Sequence, residues 1–262
     1  MKRSIPHIFT LLNLTCGCIG LVLVLSSPEY LKYGAFLIVI ACIFDFFDGF
    51  AARMLNVRSE LGKQLDSLAD MVTFGALPSM MVFELLKFTY DVQGIEWLNC
   101  KHLLPDYQAH IVCSINQMIP YFPAFLIAIF SAIRLAVFNI DTKQVDGFLG
   151  LPTPANALFV GSLVLMISNE GKDFEFNEII NYNFLYSYIL AACMLMVSRL
   201  PMISFKFKNL SWEMNIWRYV LLIGCTAIIV LAYAKGVIYF GLCLCIIYYI
   251  VLSIISAFFK KA

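Results

Sequence analysis

The chain has 262 residues, of which 61% are apolar and 13% charged, with a mean hydropathy of +0.85 and a formal net charge of +1. Soluble domains average roughly 45–50% apolar and about 25% charged residues, and disordered or low-complexity chains need high charge or a biased repeat, so all of these classes are excluded. The near-neutral charge gives no basis for nucleic-acid binding, which requires a clustered basic excess, and a lipid bilayer is the expected solvent.

Eight apolar stretches approach the ~20 residues that a helix needs to cross a ~30 Å hydrocarbon core. In chain order they are Ile8–Leu25, Leu31–Leu55, Leu65–Lys87, Pro120–Asn139, Leu149–Ser168, Asn181–Leu200, Ile216–Ala234 and Val237–Phe259. Helices are expected rather than a barrel, whose strands would be short and alternating. The predicted fold is an all-α integral membrane protein with about eight transmembrane helices in a single domain, 1–262.

The second and third stretches are each apolar for only about half of the length needed to cross the bilayer. The second helix reaches full length only if it continues through Asp45, Asp48 and Arg53. The third does so only if it includes Asp66 and Asp70. An acid near the centre of an isolated helix costs on the order of 2.5–3.5 kcal/mol, so these four require compensation or solvation in a cavity.

The spacing of the four acids predicts how they are compensated. Asp45 and Asp48 are three residues apart and Asp66 and Asp70 four apart, so each pair shares one helix face. A short connection makes the two helices a hairpin, which turns both faces toward one cleft. Four converging carboxylates need cations, and oxygen ligands without His or Cys favour Mg²⁺ or Mn²⁺ over zinc. Two divalent ions are therefore expected.

The longest polar interruption is Phe88–Ile119, which is predicted to form a structured loop or surface helix on the non-cytoplasmic side. It contains Cys100 and Cys113, whereas the other seven of the nine cysteines fall in apolar runs. These two could form a disulfide if the loop faces an oxidising compartment.

Basic residues predict the orientation in the membrane. With a cytoplasmic N-terminus, thirteen of the eighteen Lys and Arg residues lie inside. They are Lys2, Arg3, Arg53, Arg58, Lys63, Arg134, Lys143, Arg199, Lys206, Lys208, Arg218, Lys260 and Lys261. Both termini and the acidic cleft are therefore predicted to face the cytoplasm.

The acidic region is also a recognisable motif. It contains Asp45-x-x-Asp48-Gly49-x-x-Ala52-Arg53, eight further residues, and Gly62-x-x-x-Asp66-x-x-x-Asp70. The string resembles the signature of the CDP-alcohol phosphotransferase family at every position, including the spacer. Gly49 and Gly62 also remove side chains beside the acids, where a bulky ligand such as a nucleotide could approach the backbone.

Further segments look like the membrane-type phosphatidylserine synthases of that family. They are Ser4–Gly17, Gly62–Asp70, Arg134–Asn139 and Gly150–Ala157, which together extend over the first five stretches. His7 departs from the pattern, because family members more often have Asn after this proline. The last three stretches carry no recognisable motif.

The resemblance implies a membrane enzyme, expected in a bacterial inner membrane, that moves a phosphatidyl group from CDP-diacylglycerol to an alcohol and releases CMP. The family's four aspartates bind two metal ions and the fourth is proposed as the base; carried over, the metal ligands are Asp45, Asp48, Asp66 and Asp70, with Asp70 catalytic. Gly49, Ala52, Arg53 and Gly62 map onto the positions that approach the CDP moiety. Family members are commonly homodimers.

The expected acceptor is L-serine, whose carboxylate suits an Arg in bidentate contact. Arg134 is the best candidate, with Asn139 as a neutral partner, although a headgroup anchor is an equal alternative for Arg134. Thr10 and Asn13, one turn apart, are consistent either with nucleotide contact or with hydrogen bonds between packed helices. Thr10 is included in the predicted CDP site.

Two alternatives stay open. Another acceptor, such as glycerol phosphate or inositol phosphate, would bring a phosphate and is expected to need a denser basic cluster near Arg134 than Lys143 alone provides. A cation transporter would also place acids in the membrane, but near the midplane and often on repeated or interrupted helices. The clustering of the acids toward one face argues against transport.

Overall fold

The computed structural model describes residues 5–55, 57, 59–92, 117–140, 148–169, 180–204 and 212–259. Within these ranges the chain is almost entirely helical. Most of the Phe88–Ile119 segment, including Cys100 and Cys113, lies outside the described residues, so neither the predicted loop nor the disulfide is tested.

The helices of the described residues are numbered in chain order. They are α1 (Ile5–Ser26), α2 (Leu31–Met54), α3 (Glu60–Asp70), α4 (Leu77–Val92), α5 (Phe125–Ile140), α6 (Thr153–Asn169), α7 (Tyr182–Val197), α8 (Trp212–Ala234) and α9 (Ile238–Phe259). A π-helical turn, Met71–Ala76, joins α3 to α4 without a break, and 3₁₀ turns at Pro28–Tyr30 and Ile119–Ala124 precede α2 and α5.

Six helical segments in the described ranges are long and apolar enough to cross a bilayer: Pro6–Ser26, Pro28–Met54, Glu60–Tyr90, Ile119–Ile140, Asn215–Ala234 and Ile238–Phe259. The apolar helices α6 and α7 have 17 and 16 residues. At a rise of about 1.5 Å per residue they extend for about 25 Å, slightly less than the hydrocarbon core. The all-α architecture with multiple spanning helices is confirmed in this coarser form.

Small residues bring the first helices into close contact with the centre of the bundle. A methyl group on Gly20 would lie 2.6 Å from Leu77, and one on Gly34 would lie 2.7 Å from Met81. Leu77 and Met81 are themselves fully buried, together with Ile38 on α2. The interior is therefore formed where α1 and α2 pack against α4, and α6 contacts both α2 and α4.

A two-residue strand pair, which the sequence did not predict, fixes the entry to α6. Strand β1 (Phe148–Leu149) pairs antiparallel with β2 (Pro201–Met202). Gly150 follows β1 with φ of 74°, and a side chain there would collide with the carbonyl of Met196. On α9, the Tyr249 hydroxyl donates to the Ile203 carbonyl at 3.3 Å, so the last helix supports the strand pair.

Candidate active site

The hairpin between α2 and α3 positions the acidic motif at one end of the bundle. Ser59 ends the connection, and its hydroxyl accepts a hydrogen bond from the Gly62 amide at 3.0 Å, which starts α3 at Glu60. This N-cap satisfies one of the free amides of the first turn. Helix α3 therefore begins five residues before the predicted Leu65, and both Asp66 and Asp70 lie on regular helix.

Three of the four aspartates converge. One carboxylate oxygen from each of Asp45, Asp48 and Asp66 lies within 4.8 Å of the others. Asp48 is buried, and Oδ1 of Asp66 is buried without a hydrogen-bond partner. An all-oxygen set with an unsatisfied buried oxygen fits a hard divalent cation such as Mg²⁺ or Mn²⁺.

Asp70 belongs to the same acidic region but is not in the three-carboxylate group. Its Oδ1 accepts a hydrogen bond from Asn13 Nδ2 at 3.0 Å, and the side chain is buried. The Asp70 charge still interacts with those of Asp45 and Asp66. Asp70 therefore lies one helical turn further along α3 than Asp66, facing α1.

Helix α1 supplies the polar contacts that hold two of these acids. The Thr10 hydroxyl donates to Asp48 Oδ2 at 2.9 Å, and Asn13 holds Asp70. The Thr73 hydroxyl on the π-helical turn donates to the backbone carbonyl of Asn13 at 3.0 Å. Both residues on α1 thus make hydrogen bonds between helices, and Thr10 also lines the cavity beside the acids.

A cavity of about 640 Å³ opens beside Asp48 and Asp66. The residues predicted to approach CDP all line it: Thr10, Gly49, Ala52, Arg53 and Gly62. A volume in the range of about 300–1,000 Å³ is typical of a site for a small ligand or cofactor. The structure therefore gathers the five predicted residues around one space, next to two of the predicted metal ligands.

The two motif glycines, Gly49 and Gly62, differ in the space around them in this cavity. Among the described residues, no atom lies within 4 Å of the place where a methyl group on Gly49 would sit, so this position faces open space. A methyl group on Gly62 would lie 2.9 Å from the His7 ring. Gly62 thus lets α1 and α3 approach, and His7, which departs from the family pattern, lines the cavity beside it.

Arg134 lies deeper in the protein than the cavity. It is 9% exposed, and Nη1 donates to the Thr153 hydroxyl at 3.4 Å. Within the described part of the chain, its buried Nε has no hydrogen-bond partner. Its charge interacts favourably with that of Asp70. This burial beside an acid is unlike a headgroup anchor, whose charged end reaches the membrane surface.

Asn139 has a different environment from Arg134. Its Nδ2 donates to Ser67 Oγ at 2.7 Å, and the Lys63 ammonium donates to its backbone carbonyl. These contacts tie the end of α5 to the outer side of α3. The structure does not bring Asn139 to the acids, and its predicted contact with the acceptor stays a prediction.

Several buried polar residues were not among the predicted site residues. Asn13 bonds to Asp70 and Thr73 to the Asn13 backbone. Elsewhere, Asn156 accepts a hydrogen bond from the Tyr188 hydroxyl at 2.7 Å, and its Nδ2 is buried with no hydrogen-bond partner among the described residues. Asn13 had a signal in the sequence, since it follows Thr10 by one turn. Single polar residues in apolar helices give no comparable pattern.

Comparison with known proteins identifies relatives. Residues 3–200 match the family model described as CDP-alcohol phosphatidyltransferase. The chain is 30% identical over 181 residues to a CDP-diacylglycerol–serine O-phosphatidyltransferase of Bacillus subtilis, covering 67% of this chain and 78% of that protein. Proteins of the same name from Methanocaldococcus jannaschii and Saccharomyces cerevisiae are 27% and 38% identical, over 94% and 52% of this chain and 90% and 42% of theirs.

Proposed function

The chain belongs to the CDP-alcohol phosphatidyltransferase family, and on this premise we propose that it transfers the phosphatidyl group of CDP-diacylglycerol to the hydroxyl of L-serine, yielding phosphatidylserine and CMP. The observation that carries the proposal is the cavity in which the five motif residues adjoin Asp48 and Asp66. The serine acceptor is supported by the names of the relatives and by the buried, partly unpaired Arg134.

In this proposal the cavity holds the cytidine diphosphate part of the donor. Open space at Gly49 leaves room for the nucleotide against α2, and Arg53 on the same lining supplies a guanidinium for phosphate oxygens. The diacylglycerol chains remain in the surrounding lipid, since the site lies between helices long enough to cross the membrane.

Asp45, Asp48, Asp66 and Asp70 would hold two divalent cations, Mg²⁺ or Mn²⁺. When bound, such ions neutralise the diphosphate and polarise its phosphoryl oxygens. The fit rests on the three oxygens within 4.8 Å and on the unpartnered Asp66 Oδ1. None of the four carboxylates forms an ion pair with Lys or Arg in the described part of the chain, so the acidic charge is left for a cation.

The chemical step forms one bond and breaks one. The serine oxygen attacks the phosphorus of the diacylglycerol phosphate, the bond from that phosphorus to the CMP oxygen breaks in line, and the hydroxyl proton passes to Asp70. Asp70 suits the role of base because Asn13 fixes its carboxylate at 3.0 Å. Arg134 binds the serine carboxylate, with Asn139 proposed as a second acceptor contact.

The placement in the membrane is also a proposal. Eight spans with both termini and the active site on the cytoplasmic side are supported by the six long and two shorter apolar helices and by the distribution of Lys and Arg. We place the protein in a bacterial inner membrane as one domain, 1–262, that contains the signature region 45–70. Homodimer formation is proposed from family membership.

A direct assay tests the reaction. Purified protein in detergent is given CDP-diacylglycerol, labelled L-serine and either Mn²⁺ or Mg²⁺, and the lipid fraction is counted. A labelled phospholipid and an equal amount of CMP are expected. Omission of the metal, or addition of a chelator, should stop both products.

An acceptor panel separates the alternatives. Glycerol 3-phosphate and inositol phosphate are supplied in place of serine under the same conditions. Product with either of these and none with serine would overturn the acceptor assignment while leaving the family chemistry intact. Release of CMP with no lipid product from any acceptor would contradict the transfer reaction itself.

A further inference from the structure

Asn13 has one hydrogen-bonding atom that the fold leaves unused. Its side chain is fully buried, and Nδ2 donates to Asp70 Oδ1 at 3.0 Å. The carbonyl oxygen of the same amide, Oδ1, is buried and has no hydrogen-bond partner among the residues that the structure describes. Buried carbonyl oxygens in native proteins are normally paired, because an unpaired one has lost its water at a cost in free energy. This oxygen is available to a donor that arrives with a ligand.

The direction of the unused oxygen is set by the surrounding structure. The Asp70 oxygen accepts a hydrogen bond, so the NH₂ side of the amide must face it. The Thr73 hydroxyl holds the Asn13 backbone carbonyl at 3.0 Å. Thr73 is itself fully buried and packed against Gly17. The backbone and the amide are both held, and the free oxygen is therefore fixed beside the proposed base.

The surroundings select the kind of donor that this oxygen can receive. The neighbouring side chain is a carboxylate, and three further carboxylates lie nearby, so a positively charged donor is favoured over a neutral one. Arg134, whose charge interacts with that of Asp70, has a buried Nε–H with no partner among the described residues. Asp70 thus has near it one free acceptor, on Asn13, and one free cationic donor, on Arg134. These two groups complement an ammonium and a carboxylate.

We infer that Asn13 Oδ1 accepts a hydrogen bond from the ammonium group of the acceptor, so that Asn13 recognises the amino group and Arg134 the carboxylate of one amino acid. The inference rests on the proposed function, because it takes the acceptor to be an amino acid. It assigns to Asn13 a part in acceptor specificity, since phosphorylated polyols such as glycerol phosphate have no ammonium to offer this oxygen.

Two fragments of serine separate the two contacts. Ethanolamine is serine without the carboxylate, and 3-hydroxypropanoate is serine without the ammonium. Each is used as an inhibitor of labelled serine transfer by the wild type, Asn13→Leu and Asn13→Ala. The inhibition constant for ethanolamine should rise roughly 10- to 100-fold in both variants, while that for 3-hydroxypropanoate stays near the wild-type value. Arg134→Lys should give the opposite pattern.

Thr15→Val provides the matched control. Thr15 lies on the same helix two residues further on, is exposed, and donates its hydroxyl hydrogen bond to the Leu11 carbonyl of its own helix at 2.7 Å. Neither inhibition constant should change in this variant. An inhibition constant does not depend on the fraction of molecules that fold, so it can be measured even for a variant obtained in low yield.

Three results would overturn the inference. Equal rises for both fragments would mean that Asn13 acts only by holding Asp70, and unchanged values for both would remove it from the acceptor site. A change confined to the Mn²⁺ concentration required for activity would make Asn13 a metal contact. All three results can be obtained only if the wild type transfers serine. If the wild type does not transfer serine, the proposed function itself is contradicted.

Discussion

Replacement of Asp66 by Asn tests whether the acidic group is built to hold a cation. Asp66 is central to the prediction because its carboxylate approaches both Asp45 and Asp48, with all three oxygens within 4.8 Å. Two unit charges at 4.8 Å repel by about 3.5 kcal/mol at an effective dielectric constant of about 20. Asp66→Asn removes two of the three repulsive pairs in the group while keeping the size of the side chain.

The variant should therefore behave oppositely with and without metal. In a chelator, thermal unfolding followed by intrinsic fluorescence in detergent should give a midpoint equal to or above that of the wild type, because repulsion is relieved. Added Mn²⁺ should raise the wild-type midpoint, by linkage of binding to the folded state, and leave that of Asp66→Asn unchanged. Serine transfer should fall by at least about a hundredfold, equivalent to about 2.7 kcal/mol of lost transition-state stabilisation.

The matched control is Glu29→Gln, which also exchanges a carboxylate for an amide but lies exposed in the turn before α2, away from the acids. For Glu29→Gln, Mn²⁺ should raise the melting midpoint as in the wild type, and serine transfer should be fully retained. If Mn²⁺ still raised the melting midpoint of Asp66→Asn and the variant still transferred serine at the wild-type rate, the three-carboxylate group would not be the metal site. A lowered midpoint in chelator would refute the repulsion argument.

Three further substitutions test the donor cavity, the helix contact and the acceptor site. Gly49→Val should leave the melting midpoint unchanged, since no atom of the described residues lies within 4 Å of a methyl group there. The same variant should raise the KM for CDP-diacylglycerol at least about tenfold, because the added side chain occupies the cavity. Gly17→Ala should lower stability by about 1–3 kcal/mol, because its methyl group would lie 3.0 Å from Thr73 Cα; an unchanged melting midpoint would contradict this packing. Arg134→Lys keeps the positive charge but loses the planar guanidinium. The serine KM should therefore rise about tenfold or more, while the KM for CDP-diacylglycerol changes little. An equal rise in both KM values would refute a specific acceptor contact.

The acidic motif shows what sequence spacing can predict. Separations of three and four residues predict a shared helix face for each pair of acids, and the hairpin places Asp45, Asp48 and Asp66 within 4.8 Å. Helical periodicity fixes which side of a helix a residue occupies, so the shared face of each pair of acids can be predicted from the sequence alone. The convergence of three carboxylates matches the expectation, whereas the hydrogen bond from Asn13 to Asp70 was not predicted.

The position of Asp70 depends on a helix that the spacing argument did not include. Asn13 draws the carboxylate toward α1, and the π-helical turn that starts at Met71 changes the helix geometry directly after it. A π-helical turn arises from tertiary packing and has no reliable signature in a single sequence. The strand pair between Phe148–Leu149 and Pro201–Met202 was missed for a similar reason, because two residues are too few for a periodic pattern.

If the proposed function is correct, the arrangement of the acids would let the two substrates approach the reacting phosphorus from different sides. Asp48 and Asp66 border the cavity proposed for the nucleotide, whereas Asp70 is not part of its lining and faces Asn13 and Arg134 instead. An in-line displacement requires the attacking oxygen and the leaving oxygen on opposite sides of the phosphorus. A donor bound in the cavity and an acceptor bound beyond Asp70 would meet this requirement, because one turn of α3, from Asp66 to Asp70, lies between the two sites. In the proposed arrangement, the one-turn separation of Asp66 and Asp70 lets α3 contribute an aspartate to each of the two substrate sites.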